Sequence, residues 1–335
     1  MGFAPEDRLP LKWTYRGDRI GHSDSLLLMG SCFSERMGSR LERHLFEVSW
    51  QPTGTIFDPV SLHDHLRTYW CRAQGQEIPW NLQDWQLLEG VWHHWNLHSK
   101  LSHPHLEQAK EQAVQAIDAG AQALQKAHTL VLTLGTAYVY FLKSSGEPVA
   151  NCHRFPANLF ERRLMPVQEM LKSWALLLQQ IMQWKPELQI WLTVSPVRHS
   201  RDGLIENNRS KGRLLDLAHG LCEQFPNLHY IPSYEWLIDV LRDYRYYDTD
   251  LVHPNYASTA FVYDCLVEHC MHAEAAALLP RIESLVTADA HRPRFEGSEA
   301  HQRFEQQRDA QWEAFAKEFP NIASRKHVQG NSPPG

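Results

Sequence analysis

The sequence predicts an α/β protein, a three-layer α/β/α sandwich around a mainly parallel, flavodoxin-like sheet. Short, almost wholly apolar runs at 26–29, 129–135, 189–194 and 228–231 alternate with helical stretches. Strands covered on both faces read this way, because neither face meets water. The first three runs each end in a polar turn: Gly30-Ser31-Cys32, Gly135-Thr136-Ala137 and Ser195-Pro196-Val197-Arg198-His199. In a parallel sheet such ends share the carboxyl edge, where open α/β folds bind ligands.

Taken in order, residues 1–24 are a polar, Pro-containing lead-in. Leu26 to Met29 is the first strand; Gly30 ends it, and a helical pattern runs from Glu35 to Phe46. The Pro-x-Gly core of 51–59 signals a loop, and Asp58-Pro59 opens a helix over 60–69 with Pro in its first turn. Residues 72–104 form an aromatic-rich insertion of short elements. Five of the twelve tryptophans fall between Trp70 and Trp95; packing is the first explanation for them and stacking on sugar rings the second. An amphipathic helix follows over 106–127. After the strand 129–135 come β-like residues 137–142, a helix over 165–184, the strand 189–194, a helix over 208–224, the strand 228–231, a turn and helix over 232–245, and a Pro-started helix over 254–270. These elements make one domain, 25–280. From 281 the composition turns to Glu, Gln, Ala and Arg, which predicts a helical C-terminal extension, 281–335. It holds a linker at 286–300, a helix at 300–318 and a disordered Pro/Gly/Ser tail.

Composition narrows the class. The net charge of −6 provides no field for nucleic-acid phosphates. No window approaches the ~18 apolar residues of a membrane span. Met1 to Arg8 lacks the basic and apolar regions of a signal peptide. The six cysteines are scattered without a C-x-x-C pair, which fits reduced thiols and a cytoplasmic location. Cys265, Cys270 and His272 lack a second ligand pair, so neither a metal nor another cofactor is expected.

Two clusters point to chemistry. A cysteine at a helix N-terminus has its thiolate favoured and free N–H groups beside it. Asp250 and His253, three apart before a Pro-started helix, fit in one turn with the carboxylate on the imidazole. Such an Asp orients and stabilises a His that acts as general base. The plain alternatives are a small buried thiol and a surface helix cap. Together the two clusters hold the parts of a nucleophilic triad.

In this order, the motifs resemble those of the GSCFA-domain family, a bacterial group related to the SGNH (GDSL-like) hydrolases. They are Gly30-Ser31-Cys32-Phe33 with Ser34 in place of Ala, Gly54-Thr55-Ile56 with Pro59, His98-Ser99, Gly135-Thr136-Ala137, Asn151-Cys152-His153, Ser195 to His199, Glu206-Asn207-Asn208 with Ser210-Lys211, and Asp250 with His253-Pro254. The resemblance spans about 20 to 275. It implies an SGNH-hydrolase-like sandwich with Cys32 at the nucleophile position, Ser31 at the preceding Asp position, and Asp250 and His253 as the dyad. It also implies an oxyanion hole from the N–H groups of Cys32 and Gly54, with Gly135 in the third block. That block ordinarily supplies an Asn donor, but here it has Ala137; Asn151, Arg198 and Asn207 are the substitutes to consider. Ser31 is the second choice of nucleophile. Cys152/His153 is a weaker pair, because neighbours in an extended segment point opposite ways.

Arg198 and His199 are read as substrate-binding, with Asn151, Asn207 and His98 joining them. The other polar residues of 201–211 are read as solvated or supporting. The expected activity is hydrolysis of an acyl ester or thioester, small-molecule or saccharide-linked. The alternatives are an acyltransferase using an acyl-CoA-like donor, in polysaccharide or glycoconjugate modification, and a non-catalytic binding module of the same fold.

Overall fold

The computed structural model describes residues 9–82 and 84–326. The anticipated disordered tail, 330–335, lies outside them, as do the first eight residues of the lead-in. The chain runs β1 (Ser25–Gly30), α1 (Cys32–Arg43), β2 (Glu47–Trp50), α2 (Pro59–Ala73), β3 (Trp85–Leu88), β4 (Val91–His94), α3 (Leu106–Lys126), β5 (Thr129–Leu134), β6 (Tyr138–Leu142), β7 (Pro148–Val149), β8 (Phe160–Leu164), α4 (Val167–Trp184), β9 (Gln189–Val194), α5 (Leu204–Gln224), β10 (Leu228–Tyr230), α6 (Ser233–Glu235), α7 (Tyr256–Cys270), α8 (Ala273–Asp289), α9 (Glu299–Glu318) and α10 (Pro320–Ala323).

Five parallel strands form the central sheet in the order β2-β1-β5-β9-β10. This is the flavodoxin-like arrangement, with its switch point between β1 and β5. Period-two alternation splits β1 between the two faces. Leu27 and Met29 pack with α2, α4 and α5 through Leu66, Trp174 and Leu217. Leu26 and Leu28 pack with α1 and α7 through Phe33, Met37 and Val262. Those are the three layers. The fifth strand, β2, was not expected: it is short and half-exposed at the sheet edge, with no apolar run to mark it. A second, antiparallel sheet, β7-β6-β8, accounts for the β-like residues after Ala137.

The remaining differences bear on the site. α1 starts at Cys32, because Ser31 is its N-cap, rather than after Ser34. α5 starts at Leu204, four residues before the expected 208, so Glu206 and Asn207 are helical. The 72–104 insertion is a β3–β4 hairpin followed by a short turn of helix at Ser99–Leu101. Trp80, Trp85 and Trp95 are buried, which settles them as packing.

α8 runs unbroken from 273 to 289 through Pro280, so the 280/281 boundary falls inside a helix and the expected linker shortens to 290–298. Trp312 and Phe315 of α9 then pack with Leu45, Ile282 and Leu285. Arg325 donates to the carbonyls of His22 (2.8 Å) and Leu45 (3.0 Å). The extension therefore docks beyond the end of α1 opposite Cys32.

Gly30 is required by a close approach. Its φ is +125°, and a Cβ there would lie 2.1 Å from the Thr133 carbonyl oxygen. Only glycine allows β1 to turn into α1 this close to β5.

Candidate active site

The turn after β1 is held from three sides. Ser31 N–H donates to Thr133 O at 3.1 Å. Ser34 Oγ donates to Met29 O at 3.1 Å and bonds Thr133 Oγ1 at 2.6 Å. Gln51, fully buried after β2, donates from Nε2 to Ser31 O at 2.7 Å. Ser31 Oγ accepts from Phe33 N–H and is itself buried. Ser31 is thus occupied as a helix cap, and Cys32, first residue of α1 and only partly buried, is the group presented.

Position alone does not favour the thiolate, contrary to the expectation above. Burial pushes the Cys32 thiol above its ordinary value and outweighs the lowering by Arg36 and Lys211; Glu35 adds to the rise. A base is therefore needed to remove its proton. His253 donates from Nδ1 to Asp250 Oδ2 at 2.6 Å. The backbone N–H groups of Val252 and His253 each donate to Asp250 Oδ1 at 2.9 Å. These three bonds hold the Asp250 carboxyl well below the usual carboxylate range. They leave His253 Nε2 as the nitrogen able to accept a proton. This loop faces α1: Arg36, one turn beyond Cys32, pairs with Asp248 at 3.5 Å, and Asp248 N–H donates to His253 O. It is pinned to the end of β9 by Arg198 N–H on Val252 O, 3.3 Å.

The oxyanion assignments need correction. Gly54 N–H donates to Gln51 O at 2.9 Å, and Gly135 N–H donates to Phe57 O at 2.8 Å. Both are already spent, the first within its own turn and the second on the loop that precedes α2. The Cys32 N–H, at the start of α1, has no backbone acceptor among the described residues. Ala137 is buried, with its N–H on Ser210 Oγ at 2.7 Å. Of the proposed substitutes, Asn207 is buried and consumed: its Oδ1 accepts from His199 N–H and its Nδ2 donates to Asn208. Asn151 Oδ1 accepts from His153 N–H, while its Nδ2 reaches Ser99 Oγ only at 3.5 Å. Arg198 retains an Nε–H without a partner among the described residues, although its guanidinium also bonds Tyr247.

His98 packs directly on Gly54, where a Cβ would meet the His98 Cβ at 2.1 Å. Lys100 follows it and donates from Nζ to Gln51 O at 2.9 Å. His199 sits edge-on to Phe57 and is held near pKa 3 by burial, so it is neutral and not an anion-binding cation. The Cys152/His153 pair is not formed. His153 uses Nδ1 on Ser99 Oγ (3.0 Å) and Nε2 on His94 O (2.9 Å), and burial pushes the Cys152 thiol up to about 11. Gln51 and Arg36 were not singled out from sequence. Lys211, read as solvated or supporting, is fully buried.

Among curated proteins, none matches the chain. The GSCFA family model matches residues 25–266. The chain belongs to the GSCFA family. Solved structures similar to this GSCFA protein include a protein from Streptococcus pneumonia provisionally described as a platelet activating factor. It is 12% identical, with a TM-score of 0.37, and the match covers 74% of this chain and 84% of that one. Another is a carbohydrate esterase family 2 enzyme with its carbohydrate-binding domain from Corynascus thermopiles (Myceliophthora fergusii), 12% identical with a TM-score of 0.37, covering 81% and 69%. Among the described residues no helix is long and apolar enough to cross a membrane.

The loop carrying Gly54 depends on a buried histidine. Thr53 Oγ1 bonds His65 Nδ1 at 2.7 Å and the Tyr69 hydroxyl at 2.6 Å. Burial lowers His65 from 6.5 to about 3. Between those values the unfolded chain binds a proton that the folded chain refuses, so stability is lost as pH falls from 6.5 towards 3. His153, held near 4, and His199 act in the same sense. Each such histidine is expected to cost about 1.4 kcal/mol per pH unit inside its window. The urea midpoint should therefore drop between pH 7 and pH 5, and drop less in His65→Gln. An unchanged midpoint in the native chain would contradict this.

Proposed function

We propose that this GSCFA protein is an acyl hydrolase that cleaves an ester or thioester, small-molecule or saccharide-linked, through a Cys32 thioester. The observation that carries this is the 2.6 Å Asp250–His253 bond, on a loop tied by Arg36–Asp248 to the helix that Cys32 begins. His253 Nε2 takes the Sγ proton while Asp250 stabilises the imidazolium. The sulfur attacks the carbonyl carbon and the C=O π pair moves onto oxygen. The Cys32 N–H at the helix N-terminus and the Arg198 guanidinium are the donors suited to that oxyanion. The intermediate re-forms C=O and expels the alkoxide or thiolate, which takes the proton from His253. Water, deprotonated by His253, then cleaves the thioester and returns the proton to sulfur.

The test is a panel of acyl esters and thioesters, including acetylated saccharides, followed by intact-protein mass spectrometry. An acyl adduct located on Cys32 during turnover is the expected result. Turnover that proceeds equally in Cys32→Ala overturns the nucleophile. Complete inertness with no Cys32-selective alkylation indicates a binding module. Preference for an alcohol or sugar acceptor over water identifies a transferase running through the same intermediate.

A further inference from the structure

Ser99 and Asn151 meet at the rim of the site. His98, before Ser99, packs on Gly54. Lys100, after it, donates from Nζ to Gln51 O at 2.9 Å, and Gln51 donates in turn to Ser31 O at 2.7 Å. Ser99 is thereby tied to the loop that flanks the turn bearing Cys32. It is exposed, and its Oγ lies 3.0 Å from Nδ1 of His153, a residue only 5% exposed. His153 Nε2 lies 2.9 Å from His94 O. A carbonyl only accepts, so Nε2 carries the hydrogen. A second hydrogen on Nδ1 would make a buried cation. The ionisable groups around it are His93, His94 and His98, none of them an acid, and burial holds it near pKa 4. Nδ1 is therefore a bare acceptor. Ser99 must donate to it, which leaves the Oγ lone pairs for a donor from outside. Asn151 is oriented too: its Oδ1 accepts from His153 N–H at 2.9 Å, so Nδ2 faces Ser99 Oγ at 3.5 Å, too long for a strong bond. His153 and Arg154 hold left-handed backbone, φ +48° and +63°, which residues other than glycine rarely adopt. Strain kept at a polar cluster motivates a functional reading.

We propose that Ser99 and Asn151 form a hydroxyl-binding subsite for a sugar ring, with His153 as the positioning residue that fixes Ser99 as an acceptor. An accepting and a donating atom 3.5 Å apart match two neighbouring ring hydroxyls. One hydroxyl donates to Ser99 Oγ and the other accepts from Asn151 Nδ2. An alkyl chain satisfies neither atom, and an isolated alcohol leaves one unmatched. The substrate class is therefore an acyl ester or thioester carried on a saccharide, with the sugar on the Gly54 side of the turn bearing Cys32. This deepens the acyl-hydrolase reading and rests on it for the bond that is cleaved. Its test measures binding without turnover, so the two fail separately.

The full chain carrying Cys32→Ala is titrated with the methyl glycosides of glucose, galactose, mannose and N-acetylglucosamine, and with their mono-O-methyl ethers, and binding is followed through the backbone amide shifts by NMR. A methyl ether accepts a hydrogen bond but cannot donate one, so a Ser99 that only accepts is expected to favour the free hydroxyl at one ring position. Adding Ser99→Ala is expected to weaken the best-bound glycoside by about 3- to 10-fold, the scale of one hydrogen bond, and to erase that preference. Ser99→Thr keeps the hydroxyl and is expected to restore both. Ser99 is exposed, so this arm does not depend on a buried substitution folding. In a folded His153→Phe the Ser99 hydrogen is free to donate to the ether oxygen, and the preference is expected to shrink. Absence of binding across the panel overturns the proposal, as does binding that Ser99→Ala leaves unchanged. A hydroxyl preference equal with and without the Ser99 oxygen also overturns it, and one that His153→Phe leaves intact overturns the positioning role.

Discussion

Cys32→Ala is expected to lower kcat/KM by about 10,000-fold or more, the scale seen when a nucleophile acting with its base is removed. The substitution deletes one partly exposed sulfur at a helix start and leaves the Ser31 cap, the Gly30 turn and the Gln51 bond in place. Loss of activity should therefore come with an unchanged melting temperature. Cys32→Ser separates the roles further. An alcohol is a far weaker acid than a thiol, and its alkoxide is correspondingly harder to form near neutral pH. Steady-state kinetics are expected to show Cys32→Ser well below the native chain. A variant as active as the native protein would mean that the thiol is not the attacking group.

Asp250→Asn is expected to reduce kcat/KM by ~100- to 10,000-fold with little change in KM. Asparagine keeps one oxygen for the Val252 and His253 N–H groups, so the turn survives. The other position becomes an NH2 that faces His253 Nδ1, where the carboxylate accepted a hydrogen bond at 2.6 Å. The imidazole must then accept at Nδ1 and carry its hydrogen on Nε2, the nitrogen that has to receive the Cys32 proton. Because Asp250 is held well below the carboxylate range, it stays ionised through the working range and adds no limb of its own to the pH–rate profile. The comparison that checks this is kcat/KM against pH for native protein, Asp250→Asn and His253→Ala. Equal losses in the two variants would show one unit; native-like activity in Asp250→Asn would exclude orientation by the carboxylate.

Much of the sheet was legible because its strands are continuous apolar runs, visible without tertiary information: β1, β5, β9 and β10. β2 was not, since this half-exposed edge strand has no apolar run and its alternation, Glu47-Val48-Ser49-Trp50, lasts only four residues. The Asp250–His253 bond was legible for a local reason: three residues in one turn bring the groups together whatever the rest of the chain does. The glycine assignments at Gly54 and Gly135 went the other way. A motif states which residue is present but not what its N–H donates to: Gly54 N–H had its acceptor in its own turn, at Gln51, and Gly135 N–H had a long-range one, at Phe57. Asn207 was anticipated as a binding residue, yet the earlier start of α5 places its amide under the His199 backbone.

By itself, then, the sequence determined the alternation of strands and helices, the carboxyl-edge location of the polar turns, the GSCFA motif series and the local Asp–His dyad. These follow from periodicity and short-range geometry. Tertiary structure alone decided the environment of each group. It made Ser31 a cap and Cys32 the exposed member of the pair, and it let burial raise the thiol that a helix start would otherwise favour. It also took Lys211 out of solvent and set it between Gly135 and Ser195. Burial and charge coupling depend on segments some 180 residues apart along the chain, and such distances close only when the sheet assembles.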